Sequence, residues 1–171
     1  MPTTQATAED FVGTWRLLDY SFVHQDGTVE HPWGTAVRGY LLYSAEGYMS
    51  GNLSPANDWP SRRARLAAVL KAHDGAGALR LARRAGRRDY IAYTGRYTVE
   101  RGTITHHVEA SLFPNWVGRS EVRQFQFEGK TLTLRTGPVR AGRDTIVAQL
   151  VWERVGLAVQ AHAPSAHSEF R

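Results

Sequence analysis

The sequence predicts an all-β chain, an eight-stranded antiparallel up-and-down barrel with a helical insert between its third and fourth strands. Three observations lead there. Short runs of strand composition recur between turn signals along most of the chain. Within them apolar and polar residues alternate with the period of two that a half-buried strand requires. The connections are mostly tight, so successive strands pair antiparallel.

The first run, Thr14 to His24, stops at Asp26-Gly27. His31-Pro32-Trp33-Gly34 leads into Val37 to Ser44, and Glu46-Gly47 turns the chain into Tyr48 to Leu53. Tyr90 to Val99 follows the insert, and Arg101-Gly102 turns it into Thr103 to Phe113. The loop Pro114 to Gly118 precedes Arg119 to Phe127, and Glu128-Gly129 precedes Thr131 to Thr136. A loop from Gly137 to Arg143 leads to the last run, Asp144 to Val155. Eight strands are enough to close a sheet on itself, abolish its edges and leave room for one small ligand.

At 171 residues the chain suits one domain, expected over residues 1–159, with a flexible tail over 160–171 that lacks periodicity. Without cysteine there is no disulfide framework, thiolate metal site or cysteine nucleophile. No apolar run reaches the roughly 18 residues of a membrane-spanning helix. The first ten residues lack the basic start and apolar core of a signal peptide, so a soluble cytoplasmic protein is expected.

The formal charge of +5 is unevenly placed. Between Ser61 and Arg88 stand nine basic residues and one acid, a net +8 that leaves the rest of the chain at −3. This insert, residues 61–88, reads as two helices capped by Ser61 and broken at Gly75 and Gly77, lying over one mouth of the barrel. Its charge either is a solvated face or meets an acidic carrier protein. Arginines interleaved with alanine and leucine instead of aromatics argue against nucleic acid.

Gly13-Thr14-Trp15 opens the first strand and Trp152-Glu153-Arg154 nears the end of the last. In a closed meander these strands are neighbours, and Arg154 can lie over the Trp15 indole. With Gly39-Tyr40-Leu41-Leu42-Tyr43, Glu46-Gly47-Tyr48-Met49-Ser50, Tyr93-Thr94-Gly95-Arg96-Tyr97, His106-His107-Val108, Pro114-Asn115-Trp116-Val117-Gly118 and Arg123-Gln124-Phe125, the chain resembles the bacterial and fungal lipocalin-like domain family. That family is often found among proteins of natural-product biosynthesis. The resemblance runs from about Phe11 to Val155 and implies a barrel around a ligand cavity, without a shared catalytic mechanism.

His106 and His107 are adjacent on a strand and point to opposite faces. His106 shares its phase with Ile104, Val108, Ala110 and Leu112, the apolar and hence inner set, whereas His107 runs with Glu109. Either a hydrogen-bonded core histidine or a general acid–base fits that inner position, and the opposite phase stays open. Arg123 and Glu121 share a face with Phe125, so the guanidinium pairs with Glu121 or with an anionic ligand. Tyr43, Tyr93, Tyr97 and Met49 are expected to face inward. Asn115 and Trp116 either line the mouth or close its end.

This set suits an oxygenated aromatic or polyketide-like molecule. Three functions stay open: a cofactor-independent cyclase, isomerase or dehydratase using His106, His107, Arg123 and Tyr93, a non-catalytic small-molecule carrier, and an interaction module docking an acidic carrier protein through the Arg-rich insert. No phosphate-binding loop, dinucleotide fingerprint or metal-ligand spacing occurs, so neither cofactor nor metal is expected.

Overall fold

The computed structural model describes residues 6–56, 90–141 and 144–156. The expected helical pair at 61–88, with its acidic partner, and the tail at 160–171 lie outside the described residues.

A single turn of helix, α1 (Ala8–Phe11), precedes β1 (Gly13–His24). The chain continues through β2 (Val29–Glu30), β3 (Val37–Tyr43), β4 (Tyr48–Pro55), β5 (Ile91–Glu100) and β6 (Thr103–Ser111). A 3-10 turn at Pro114–Trp116 leads to β7 (Ser120–Glu128), β8 (Thr131–Thr136), β9 (Val139–Ala141) and β10 (Asp144–Arg154). The sheet order is β2-β1-β3-β4-β5-β6-β7-β8-β10-β9, and β1 also pairs with β10, which closes eight long strands into an antiparallel barrel. The two short strands, β2 and β9, extend β1 and β10 at their free ends. The stretch read as a plain loop, Gly137 to Arg143, thus carries β9, whose Val139 pairs with Ile146.

The closing seam joins the two signature ends. Trp15 stands opposite Arg154, and the guanidinium carbon lies 4.2 Å from the indole centroid. Arg154 also donates from Nη1 to the Val12 carbonyl at 2.7 Å and from Nη2 to the Asp10 carbonyl. Gly13 holds a φ of +131°, and a Cβ there would lie 3.1 Å from Arg154 Nη1. The glycine of Gly-x-Trp is therefore required both by its backbone and by the approach of the arginine.

α1 inserts Phe11 into this end of the barrel, where it is completely buried. Its ring meets Phe125 and Phe127 edge-on at 5.0 Å and Tyr43 at 5.5 Å. Such aromatic pairs contribute about 0.5–1.5 kcal/mol each beyond area burial. The Trp15 Nε1–H donates to the Phe11 carbonyl at 2.8 Å and locks the plug to β1.

One phase differs from the alternation read in the sequence. Ile104, His106 and Val108 are buried, but Ala110 is exposed and Ser111 takes the inward place opposite Tyr93. The register of β5 and β6 slips so that Gly95 faces Val108 while Thr94 faces Ala110, and Glu109 is the extra residue. A bulge of this kind reverses every side chain beyond it. Gly95 permits it, because a Cβ there would fall 1.9 Å from the His107 carbonyl oxygen.

Candidate functional site

From the filled end the strands run into a hollow half. Tyr20, Leu41, Gly51, Leu53, Ile91, Tyr93, Trp116, Glu121, Arg123, Leu134, Thr136, Leu150 and Trp152 are among the residues around a cavity of about 470 Å³. Ligand pockets are commonly about 300–1,000 Å³. All the long strands except β6 give inner residues to this space. On β7, Glu121 and Arg123 line the cavity while Phe125 and Phe127 pack on Phe11.

Arg123 is only 9% exposed. It donates from Nη2 to Glu121 Oε2 at 3.1 Å and from Nη1 to the Val122 carbonyl at 3.0 Å. Of its five N–H bonds these occupy two, so the guanidinium retains donors. Glu121 thus supplies the internal partner left open above, and its carboxylate faces the guanidinium charge within the lining. That charge reaches Tyr20, Tyr43, Tyr93 and His106. Burial pushes the Tyr20 phenol up to about 12, against the pull of Arg123, so the hydroxyl stays protonated at neutral pH.

Behind the wall sits His106, fully buried. Its Nδ1 lies 2.9 Å from the Tyr93 hydroxyl and its Nε2 lies 2.8 Å from the Tyr43 hydroxyl. Burial, reinforced by Arg123, brings the imidazole down to about 3, so it is neutral at physiological pH. Burial also raises the Tyr43 and Tyr93 phenols. The inner phase thus belongs to His106. His107 takes the outer face, between Thr98 Oγ1 and Ser120 Oγ at 3.1 Å each, which closes the opposite phase left open above and removes His107 from the catalytic candidates.

Of the residues singled out from sequence, Tyr93, Glu121, Arg123 and Trp116 line the cavity together. Tyr43, Tyr97, Met49 and Phe125 belong to the packed core instead, with the Tyr97 hydroxyl donating to the Ser44 carbonyl at 3.0 Å. Asn115 is exposed on the 3-10 turn. The sequence reading missed Tyr20, Leu41, Leu134, Leu150 and Trp152 as wall residues. Alternation could have marked Leu134, Leu150 and Trp152. Tyr20 was hidden, because the β1–β10 register slips between Leu17 and Asp19.

Residues 12–155 match the lipocalin-like domain. The chain belongs to that family. Among curated proteins the lipocalin-like domain is similar to the 4'-hydroxy-3'-methoxypropiophenone carrier protein ppsC of Aspergillus oryzae, at 40% identity over 57 residues. That match takes in 29% of this chain and 51% of the Aspergillus protein, so it spans about half the length of its relative. A solved lipocalin-like protein from Bacteroides uniformis is similar over 85% of this chain and 99% of its own, at 13% identity and a TM-score of 0.40. An uncharacterized protein from Bacteroides eggerthii is similar over 85% and 100%, at 14% identity and a TM-score of 0.39. No helix among the described residues is long and apolar enough to cross a membrane.

Proposed function

We propose that this lipocalin-like domain is a carrier for one small, mostly apolar, oxygenated molecule of aromatic or polyketide type. The observation that carries this reading is the lining of the cavity. Aliphatic walls from Leu41, Leu53, Ile91, Leu134 and Leu150 are joined by a minority of polar side chains, Tyr93, Arg123 and Glu121 among them. Apolar walls supply affinity in proportion to the area removed from water, and the polar side chains select orientation. The Aspergillus relative, named as carrier of a hydroxylated, methoxylated aromatic ketone, supports this chemistry.

A binding role is favoured over a cyclase, isomerase or dehydratase by the state of His106. It is neutral, both ring nitrogens are engaged, and it stands one side chain behind the cavity wall. A general acid or base has to reach the proton it moves.

Titration with 4'-hydroxy-3'-methoxypropiophenone, followed through the fluorescence of Trp116 and Trp152, tests the reading. Saturable one-to-one binding, with the ketone recovered unchanged after long incubation, is the expected result. Absence of saturation would overturn it, and chemical conversion of the ketone would replace carrier by enzyme.

A further inference from the structure

Tyr43, His106 and Tyr93 form a chain of polar side chains that starts in the packed core and ends at the cavity. A neutral imidazole has one N–H and one bare nitrogen, so His106 donates to one tyrosine and accepts from the other. Two arrangements satisfy the ring, and they leave the surplus hydroxyl hydrogen at opposite ends.

If Nε2–H donates to Tyr43, the Tyr43 hydroxyl hydrogen needs an acceptor inside the core. Among the described residues the Tyr43 hydroxyl has no hydrogen-bond partner other than His106. Its ring is enclosed by Phe11 and Tyr97, and the Tyr97 hydroxyl hydrogen is committed to Ser44. A buried donor without an acceptor is costly. If Tyr43 instead donates to Nε2, then Nδ1–H donates to the Tyr93 oxygen. The surplus hydrogen is now on Tyr93, whose side chain lines the cavity.

We infer that Tyr93 presents its O–H to the cavity as a fixed donor, held in that sense by His106 and Tyr43, and that it selects ligands with a carbonyl-type oxygen in the corner beside Arg123. The inference rests on the carrier reading and assigns the specificity element of the same cavity. Arg123 lines the same cavity, with its guanidinium held by Glu121 and the Val122 carbonyl. Glu121, held by Arg123, is the acceptor of that corner and suits a ligand hydroxyl nearby. Tyr43 and His106 are positioning residues, since neither lines the cavity.

Two measurements test it. Nitrogen-15 spectroscopy of the free protein should find His106 protonated at Nδ1 and bare at Nε2. Protonation at Nε2 would overturn the inference without any ligand being involved. Binding is then compared between 4'-hydroxy-3'-methoxypropiophenone and the analogue whose carbonyl is replaced by methylene. The wild type should prefer the ketone by about tenfold, as one directed hydrogen bond provides. In Tyr93→Phe the preference should shrink to near unity while the methylene analogue binds as before. Tyr43→Phe, nearly isosteric and away from the cavity, should lower the preference severalfold by releasing the tautomer. An undiminished preference in Tyr43→Phe would overturn the relay. Equal binding of both probes by the wild type would overturn this inference alone, whereas binding of neither would overturn the carrier reading on which it stands.

Discussion

The two halves of the barrel are built from the same eight strands but solve opposite problems. The half around Phe11 is filled by a wedge of aromatic rings from β3, β5 and β7 and is stitched by Arg154 across the closing seam. The half around Tyr20 and Arg123 keeps its side chains against the wall and leaves about 470 Å³ between them. Stability is concentrated where packing is dense, since dispersion and burial both scale with contact. Recognition is placed where packing is given up. His106 marks the boundary, touching core through Tyr43 and cavity wall through Tyr93.

Truncation should expose that division most strongly. Phe11→Ala removes the plug and is expected to cost about 3–5 kcal/mol in urea unfolding, as for buried phenylalanines elsewhere. Leu150→Ala, in a wall that already borders empty space, should cost only about 1–2 kcal/mol, the transfer value of the lost methylenes. Equal losses would mean that the two halves carry stability alike.

The boundary residue gives the next largest effect. His106 is held down to about 3 in the folded state, against its ordinary value of 6.5. The unfolded chain therefore binds a proton that the native protein refuses, and stability falls as pH drops below about 6.5, levelling off near 3. By pH 4 the loss from this group is roughly 3 kcal/mol. Urea unfolding at pH 7 and pH 4 should show it, and His106→Gln should show less of it. Equal pH dependence in the two proteins would place His106 in contact with water.

The smallest effect is expected at the rim of the hollow half, where a second histidine behaves in the opposite way. His24 is bonded to Asp144 and lies 3.3 Å from Glu30, and these carboxylates raise its affinity for a proton. Asp144 is lowered in turn, first by its hydrogen bond to His24. The histidine contribution is present below about 6.5 and lost as pH rises through its raised value. The carboxylate contribution is lost as pH falls below about 4. A thermal unfolding profile should therefore show His24→Gln lagging the wild type between pH 4 and 6.5 and converging with it as the pH rises through the raised value of His24. A constant gap at all pH values would make the contact one of packing alone.

Which parts of this division were legible in advance follows from the range of the interactions involved. The strand spans were readable because alternation and turn residues act locally. The meeting of Trp15 and Arg154 was readable because a closed meander leaves those two strands no other neighbour. The inward phase of His106 was readable from Ile104 and Val108. Beyond the bulge the same counting fails at Ala110, because the slip depends on Gly95, a residue of the neighbouring strand. Phe11 was read as the start of the resemblance and not as a plug, since a four-residue helix has no periodicity to reveal what it buries.

The amino-acid sequence by itself determined an antiparallel meander that closes, its seam, and a polar group among apolar neighbours on its inner face. Those features depend on residues close in the chain or on the order of strands. Only the tertiary structure decided which half is solid, and that Tyr43 and Tyr93 flank His106 from strands 63 and 13 residues away. Barrel register brings such partners together, and it is set by bulges and by the packing of the whole inner surface, which no local pattern encodes.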